Sequence, residues 1–240
     1  MRVLVTRPMP AAERTAAELR KRGHQPVLLP LMRAEHRLDG LRQGPPPQTA
    51  ALAVTSAEAI RALTGLSEDE RSRYLHLPLF AVGEATATAA RDLGFIKVET
   101  GSGDGEALAR RLLAAVSGDT AHPILYLAGT PRSPEFEQNL ENASRGIEIV
   151  ECYRMVPERW KTGHIEEVLT PRPDCILLYS SETARQFVAL IESLPTSPGA
   201  IKNIRFLCLS HKIASALPKD FRAYAVWPME PREDLLLDLL

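Results

Sequence analysis

A repeated order of short apolar strands and helices constrains the fold of this 240-residue chain more than any single motif. Five strand–helix pairs occur twice, at offsets that drift from 121 residues, between Val3 and Ile124, to 127 residues, between Val82 and Leu209. Strands that alternate with helices form parallel sheets through right-handed crossovers. The sequence therefore predicts an α/β fold with two similar doubly wound parallel-sheet domains, related by internal duplication.

The stretch Leu79–Gly94, LFAVGEATATAARDLG, shows the repeated unit most clearly. It predicts an apolar strand, a turn at Gly83 and a helix that ends at Gly94. The start of such a helix presents free backbone N–H groups that can bind a carboxylate or a phosphate. Gly83 allows the backbone to approach a ligand closely, and Thr86 can add a hydroxyl donor. The alternative is an ordinary strand-to-helix turn without a ligand.

Candidate ligand contacts lie where the predicted strands end. The carboxyl ends of parallel strands form one edge of a sheet, and ligands of such folds bind at that edge. A cleft between two such domains is therefore the expected binding place. Gly129 and Arg132 are assigned to the loop after the strand Pro123–Ala128. The residues that we expect to bind substrate are Thr6, Arg7, Ser56, Gly83, Thr86, Gly129, Arg132, Ser180 and Ser210.

Each of these assignments has a purely structural alternative. Serine and threonine at a helix start serve equally well as helix caps. An arginine in a loop is as often a solvated surface charge as a ligand contact. The sequence alone leaves both alternatives open.

The balance of charge excludes some classes of partner. The 29 basic and 30 acidic residues give a net charge of −1, so no overall field attracts nucleic acid or an anionic membrane. Met1–Thr6 leads directly into a strand, which does not resemble a signal peptide. No apolar run approaches the roughly 20 residues of a membrane helix. We therefore expect a cytoplasmic protein that binds neither nucleic acid nor a membrane.

The cysteines and histidines predict neither a disulfide nor a metal site. Cys152, Cys175 and Cys208 lie far apart in apolar runs, which is typical of buried free thiols in a cytosolic protein. The six histidines form no HxH or HExxH pattern. No metal is expected.

The glycine-rich loop Gly101–Gly105, GSGDG, invites a dinucleotide-binding interpretation. However, the third glycine of a GxGxxG fingerprint would fall at Glu106, and the loop follows the fifth strand instead of the first. A nucleotide-dependent enzyme is therefore disfavoured. A flexible turn capped by Asp104 is the better interpretation.

Eight segments in order carry a resemblance to a known family. They are VLVTRP, GHQPVLLPL, AVTSAEAI, AVGEATATAARDLGF, LYLAG, IEIVECYRMVP, LYSSETARQF and CLSHKIASAL. In this order and spacing, which covers nearly the whole chain, the sequence resembles the uroporphyrinogen-III synthases.

The resemblance implies two interleaved domains joined by two extended strands. The first domain would comprise residues 1–33 and 157–240, and the second would comprise residues 37–147. Residues 26–36 and 147–157 would be the crossing strand linkers, which explains why both segments are longer than a buried strand needs. Sequence periodicity alone would equally allow two contiguous halves.

The resemblance also implies a reaction. The linear tetrapyrrole hydroxymethylbilane would be cyclised with loss of water and inversion of its last ring, ring D, without a cofactor. A hydroxymethylpyrrole expels its hydroxyl with help from its own ring nitrogen, so the protein must assist the leaving group and hold the two chain ends together. Orientation of this kind contributes up to roughly 7–11 kcal/mol, and a single general acid about 10²–10⁴-fold. The eight carboxylates of the substrate would need donors supplied locally.

Individual residues match the family pattern to different degrees. Tyr153 matches the active-site tyrosine and would donate a proton to the departing hydroxyl; its alternative is a half-buried strand tyrosine. Thr86 matches the family threonine, and Ser56 and Ser180 match its serines. The second copy departs from the pattern, because Ser210–Ile213 stands where a glycine and a threonine are common. Lys212 could supply charge there instead.

A second function class remains open at this point. A non-catalytic two-domain protein that closes like a hinge on a small anion would have the same helix starts but no need for Tyr153. The resemblance further implies a transient contact with the enzyme that precedes it in the pathway. We expect a monomer, since the sequence shows no large exposed apolar stripe.

Overall fold

The chain forms two compact units. The computed structural model describes residues 1–101, 103–116, 122–194 and 204–240, so Ser102 of the glycine-rich loop lies outside the described residues. Unit 1 comprises Met1–Arg33 and Val156–Leu240, and unit 2 comprises Ala34–Met155.

Strands and helices alternate along most of both units. The strands are β1 (Arg2–Val5), β2 (Gln25–Leu28), β3 (Met32–His36), β4 (Ala51–Val54), β5 (Leu79–Ala81), β6 (Val98–Thr100), β7 (Ile124–Thr130), β8 (Ile147–Pro157), β9 (Cys175–Leu178), β10 (Arg205–Cys208) and β11 (Ala225–Val226). The helices are α1 (Ala11–Lys21), α2 (Asp39–Arg42), α3 (Ala57–Leu63), α4 (Glu68–Leu75), α5 (Glu84–Leu93), α6 (Gly105–Ala115), α7 (Glu135–Asn142), α8 (Thr162–Leu169), α9 (Ser181–Glu192), α10 (His211–Ala214), α11 (Lys219–Arg222) and α12 (Glu233–Leu237).

The two sheets have related strand orders. Unit 1 has the order β11-β10-β9-β1-β2, and the second sheet has the order β3-β8-β7-β4-β5-β6. Read from its other end, the second sheet begins β6-β5-β4-β7-β8, which is the unit 1 order with β4, β5 and β6 in place of β9, β10 and β11. Every strand pair whose residue register is described is a parallel pair. The predicted α/β class with parallel sheets is therefore confirmed.

The central strands of both sheets are buried on their two faces, as those of parallel sheets covered by helices are. In β1, Val3 and Val5 face one apolar cluster and Leu4 faces another. In β4, Leu52 and Val54 face one cluster, and Ala51 and Ala53 face the other.

Some predicted elements differ from the observed ones. The segment Pro26–Ala34, expected as one extended run, is two strands, β2 and β3. The helix expected over Ser210–Leu217 ends at Ala214, because the next residues form tighter i to i+3 backbone bonds before Pro218. The pattern missed α2, α8 and α11 entirely. Gly129, expected in a loop, lies within β7.

The cysteines are free and buried among the described residues. Burial raises the pKa of each thiol to about 12, so the thiolate form is disfavoured. Across the part of the chain that the structure describes, no helix is both long and apolar enough to cross a membrane.

Candidate functional site

The carboxyl edge of the unit 2 sheet brings most of the predicted site residues together. Ser56 follows β4, Gly83 follows β5, and Arg132 follows β7. Because β7, β4 and β5 are parallel neighbours, their carboxyl ends meet at one edge. Tyr153 reaches the same edge from β8, where it pairs with Gly129 of β7.

An irregularity between β7 and β8 places Tyr153. Glu151 pairs with Ala128 and Tyr153 pairs with Gly129, so Cys152 is an extra residue on the β8 side. Such a bulge turns the side chains that follow it. The Cys152 thiol is buried and donates to the carbonyl oxygen of Ala128 at 3.3 Å. Tyr153 is 9% exposed and packs into the apolar cluster of unit 2.

Gly129 gives the Tyr153 ring its space. A Cβ atom built on Gly129 would overlap the phenol ring and its hydroxyl. Residue 129 therefore has to be glycine for the ring to lie where it does. This packing role differs from the substrate contact that the sequence predicted for Gly129.

The surroundings of Tyr153 keep its phenol protonated. Burial raises the pKa of Tyr153, and the nearby Ser56 hydroxyl partly opposes the rise. Ser56 caps α3 by accepting from the Glu58 backbone N–H at 3.1 Å. An oxygen that accepts this bond still has its own proton to donate.

A cavity of about 520 Å³ opens beside Tyr153. Its polar lining includes Thr55 and Tyr126, whose hydroxyl oxygens are 2.7 Å apart. Tyr126 packs edge-on against Phe136 with ring centroids 4.9 Å apart. The cavity is lined by Thr55, Val82, Gly103, Asp104, Gly105, Glu106, Tyr126, Pro131, Arg132, Ser133, Glu135, Phe136 and Tyr153.

The charge of this cavity is not strongly positive. Arg132 contributes its guanidinium, but Glu137 pairs with it and raises the pKa of Arg132. Asp104, which accepts from the Ala107 N–H at 2.7 Å and caps α6, lies on the wall with Glu106 and Glu135. The lining therefore offers more acceptors than cationic donors.

The start of α5 is a separate feature of this edge. Gly83 is the residue before the helix, has an extended backbone and has no side chain to cap it. The N–H groups of Thr86 and Ala87 bond to the Gly83 carbonyl oxygen at 3.1 Å each. Thr86 is buried in the first turn. The N–H groups that precede these two at the start of α5 are the ones for which the sequence predicts an anion, and that remains a prediction.

The corresponding residues of unit 1 are Ser180 and Ser210. Ser180 caps α9 by accepting from the Thr183 N–H at 3.0 Å, which matches the way Ser56 caps α3. Ser210 precedes α10, and no capping bond from its side chain is found among the described residues. Thr6 has no exposed surface, and its hydroxyl donates to the Leu177 carbonyl oxygen at 2.6 Å. The structure thus gives Thr6 a sheet-stabilising role and leaves its side chain no surface for substrate.

Arg7 is held by a residue that the sequence did not indicate. Its guanidinium lies 2.9 Å from Glu233 Oε1 and 4.1 Å from the centre of the Tyr179 ring. Glu233 begins α12, more than 200 positions along the chain, so no local pattern connects the two residues. Thr55 and Tyr126 were also missed. The position of Thr55 directly after β4 was the available signal for that residue, whereas Tyr126 lies inside β7. Apolar runs do not show which side chains line a cavity.

The described residues include no cluster of three or more histidine, cysteine or acidic side chains that could hold a metal ion. The hydroxyls and the guanidinium at the unit 2 edge are hydrogen-bond donors. They suit orientation and proton transfer.

Comparisons with known proteins identify a family for this chain. The family model described as uroporphyrinogen-III synthase HemD matches residues 13–238. The crystal structure of uroporphyrinogen-III synthetase from Helicobacter pylori matches with a TM-score of 0.67 at 16% identity, over 100% of this chain and 98% of that chain. A mutant uroporphyrinogen III synthase from the extremely thermophilic bacterium Thermus thermophilus matches with a TM-score of 0.50 at 18% identity, over 99% and 96% of the two chains. At these identities the structural matches indicate the fold.

Proposed function

The chain belongs to the uroporphyrinogen-III synthase family, and from this membership we propose how its own residues close hydroxymethylbilane into a ring. The reaction removes water from the linear tetrapyrrole and inverts ring D, which gives uroporphyrinogen III. It is an enzymatic step of heme biosynthesis. The observation that carries the assignment of roles is the buried Tyr153 side chain on the wall of the unit 2 cavity.

Tyr153 donates the proton that the leaving group needs. The pyrrole nitrogen pushes electrons toward the hydroxymethyl carbon, the C–O bond breaks, and the hydroxyl departs as water with the Tyr153 proton. To invert ring D, the α-carbon of ring D that already carries the bridge attacks that carbon, and the bond from ring D to its bridge then breaks. The freed bridging carbon bonds to the other α-carbon of ring D, and the proton lost from that carbon returns to the phenolate. The protein is unchanged after one turnover, and one water is released.

Ser56 assists while the phenol is ionised. Its oxygen accepts from the Glu58 N–H, so its hydroxyl proton can point to the Tyr153 oxygen. A hydrogen bond to a developing negative charge is stronger than one to a neutral oxygen. Ser56 therefore stabilises the phenolate more than the phenol.

Two places at the carboxyl edge of the unit 2 sheet bind different chemical groups of the substrate. The open start of α5 at Gly83 binds a substrate carboxylate through the first backbone N–H groups of the helix. The acceptors of the cavity wall, among them Glu106 and Glu135, suit pyrrole N–H donors instead. Arg132 adds a charge-assisted donor between them, which is weakened by Glu137.

The pH dependence of turnover follows from the direction of the Tyr153 pKa. Because burial raises this pKa above the usual tyrosine value, the phenol remains protonated and able to donate throughout the neutral and mildly alkaline range. We expect no decrease in kcat between about pH 7 and pH 9 from loss of the donor, since tyrosine ordinarily titrates near 10. A pH profile of kcat measures this. A fall of tenfold per pH unit beginning near neutrality would contradict the assignment.

A product assay tests the function itself. Freshly prepared hydroxymethylbilane closes without enzyme to the type I isomer, and the chain should divert it to the type III isomer, as measured by separating the two isomers. The alternative, a hinge-type binding protein for a small anion, predicts binding without diversion. An unchanged isomer ratio at high protein concentration would overturn the enzyme assignment.

The remaining expectations from the sequence stay predictions. They are a monomeric state, a cytoplasmic location, transient contact with the preceding enzyme of the pathway, and a role for Ser180 and Ser210 in binding substrate.

A further inference from the structure

Three donors of unit 1 converge on one carboxylate oxygen. Arg7 Nη1 and Tyr179 Oη each lie 2.9 Å from Glu233 Oε1, and Thr15 Oγ1 lies 2.5 Å from it. Arg7 Nη1 also donates to Thr15 Oγ1 at 3.1 Å. The guanidinium stacks on the Tyr179 ring at 4.1 Å, which fixes its orientation. This arrangement is a hydrogen-bonding receptor for one oxygen of a carboxylate.

The receptor formed by Arg7, Thr15 and Tyr179 lies at the place where open α/β sheets bind their ligands. Arg7 follows β1 and Tyr179 follows β9, which are adjacent parallel strands. The chain leaves β1 toward β2 on one side and leaves β9 toward β10 on the other. Ligands of open α/β sheets bind where the connections diverge in this way. In unit 2 the corresponding strands are β7 and β4, and the cavity lined by Thr55 and Tyr126 lies there.

Glu233 fills the receptor without being enclosed by it. Its side chain is 41% exposed, and it belongs to the five-residue helix α12 near the end of the chain. Burial raises the pKa of Glu233, but bonds from Thr15 and Arg7 outweigh this effect and lower it overall. The carboxylate is therefore charged at neutral pH, and it can leave into solvent when another carboxylate takes its donors.

We propose that Arg7, Thr15 and Tyr179 form a binding site for an aliphatic carboxylate, and that Glu233 is a tethered occupant that an external carboxylate replaces. The three donors bond to Glu233 through a carboxylate oxygen, a group that any aliphatic carboxylate also carries. The ligand class is a propionate-like carboxylate on a flexible arm. Only the identity of the natural ligand, a carboxylate side chain of the tetrapyrrole, rests on the proposed function.

Thermal unfolding with sodium propionate tests the site without an activity assay. A tethered occupant competes at a high effective concentration, so the wild-type protein should respond weakly. In Glu233→Ala the site is vacant, and about 100 mM propionate should raise Tm by roughly 2–4 °C more than sodium chloride at equal ionic strength. Glu230→Ala is the matched control, since Glu230 is an exposed acid of the same segment whose carboxylate pairs with Arg232 and not with the three donors. It should respond as the wild type does.

Two further variants keep the test decisive. Glu233→Gln retains the side-chain length and some of the hydrogen bonds, so it should fold even if Glu233→Ala does not, and its response to propionate should lie between those of wild type and Glu233→Ala. Arg7→Met combined with Glu233→Gln should lose the response, because the charged donor is gone. Equal responses in wild type, Glu233→Ala and Glu233→Gln would overturn the site.

Kinetics with hydroxymethylbilane test the natural ligand separately. If a substrate carboxylate replaces Glu233, Glu233→Gln should lower KM by about 3–10-fold, because its competitor is weaker. An unchanged KM alongside a positive propionate response would overturn the substrate assignment and leave the carboxylate site in place. Absence of isomer diversion by the wild type would overturn the proposed function alone.

Discussion

Replacing Tyr153 by phenylalanine should lower kcat for uroporphyrinogen III formation by about 10²–10⁴-fold, the usual contribution of one general acid. The phenylalanine ring fills the same space against Gly129, so the fold and the cavity are retained. KM should change by less than about threefold, because the hydroxyl acts mainly in the transition state. Steady-state kinetics with separation of the type I and type III isomers measure both quantities.

Tyr126→Phe is the matched control for this variant. Tyr126 lines the same cavity, and its phenol bonds to Thr55. Removing this hydroxyl should lower kcat by less than about tenfold, since a hydrogen bond to Thr55 is lost but no proton donor. If Tyr126→Phe lost more activity than Tyr153→Phe, the proton donor would be Tyr126. If both variants kept wild-type turnover, folding of the substrate alone would account for the rate.

Local sequence patterns were sufficient to predict those parts of the site that are formed by residues close together in the sequence. Ser56 and Ser180 were expected either to cap helices or to contact substrate, and both cap helices in the structure. The cap forms because a serine before a helix can accept from an N–H two or three residues later, a distance that the sequence displays directly. The alternation of strands and helices likewise predicted the parallel sheets.

Features that depend on distant residues could not be predicted. The bulge at Cys152 exists because β8 pairs with β7, and nothing within the segment IEIVECYRMVP shows which residue will be unpaired. The loop assignment of Gly129 was wrong for a related reason, because β7 continues to Thr130 and places Gly129 in a pair with Tyr153. Glu233 meets Arg7 only through the tertiary fold. A local pattern carries no information about such partners.

Replacing Gly129 by alanine should reduce activity without removing any hydroxyl from the site. The new Cβ would overlap the Tyr153 ring, so the ring must leave its position beside Ser56 and the cavity. We expect a loss in kcat of at least about 10²-fold, comparable with loss of the acid itself, and a destabilisation of about 1–3 kcal/mol from overpacking. Kinetics and urea unfolding measure the two effects.

Gly163→Ala in α8 is the control, because a Cβ there meets no atom within 4 Å. Alanine in a helix should stabilise the folded protein by up to about 1 kcal/mol relative to glycine.

A double variant separates displacement of Tyr153 from a general disturbance of β7. If Gly129→Ala acts through Tyr153, then Gly129→Ala combined with Tyr153→Phe should be about as slow as Tyr153→Phe alone, since the proton donor is already absent. Rate losses that multiply would show that Gly129 acts independently, for example by contacting substrate through its backbone. Wild-type kcat in Gly129→Ala would mean that the Tyr153 ring can donate from another position. The observed packing of the ring against residue 129 would then be irrelevant to catalysis.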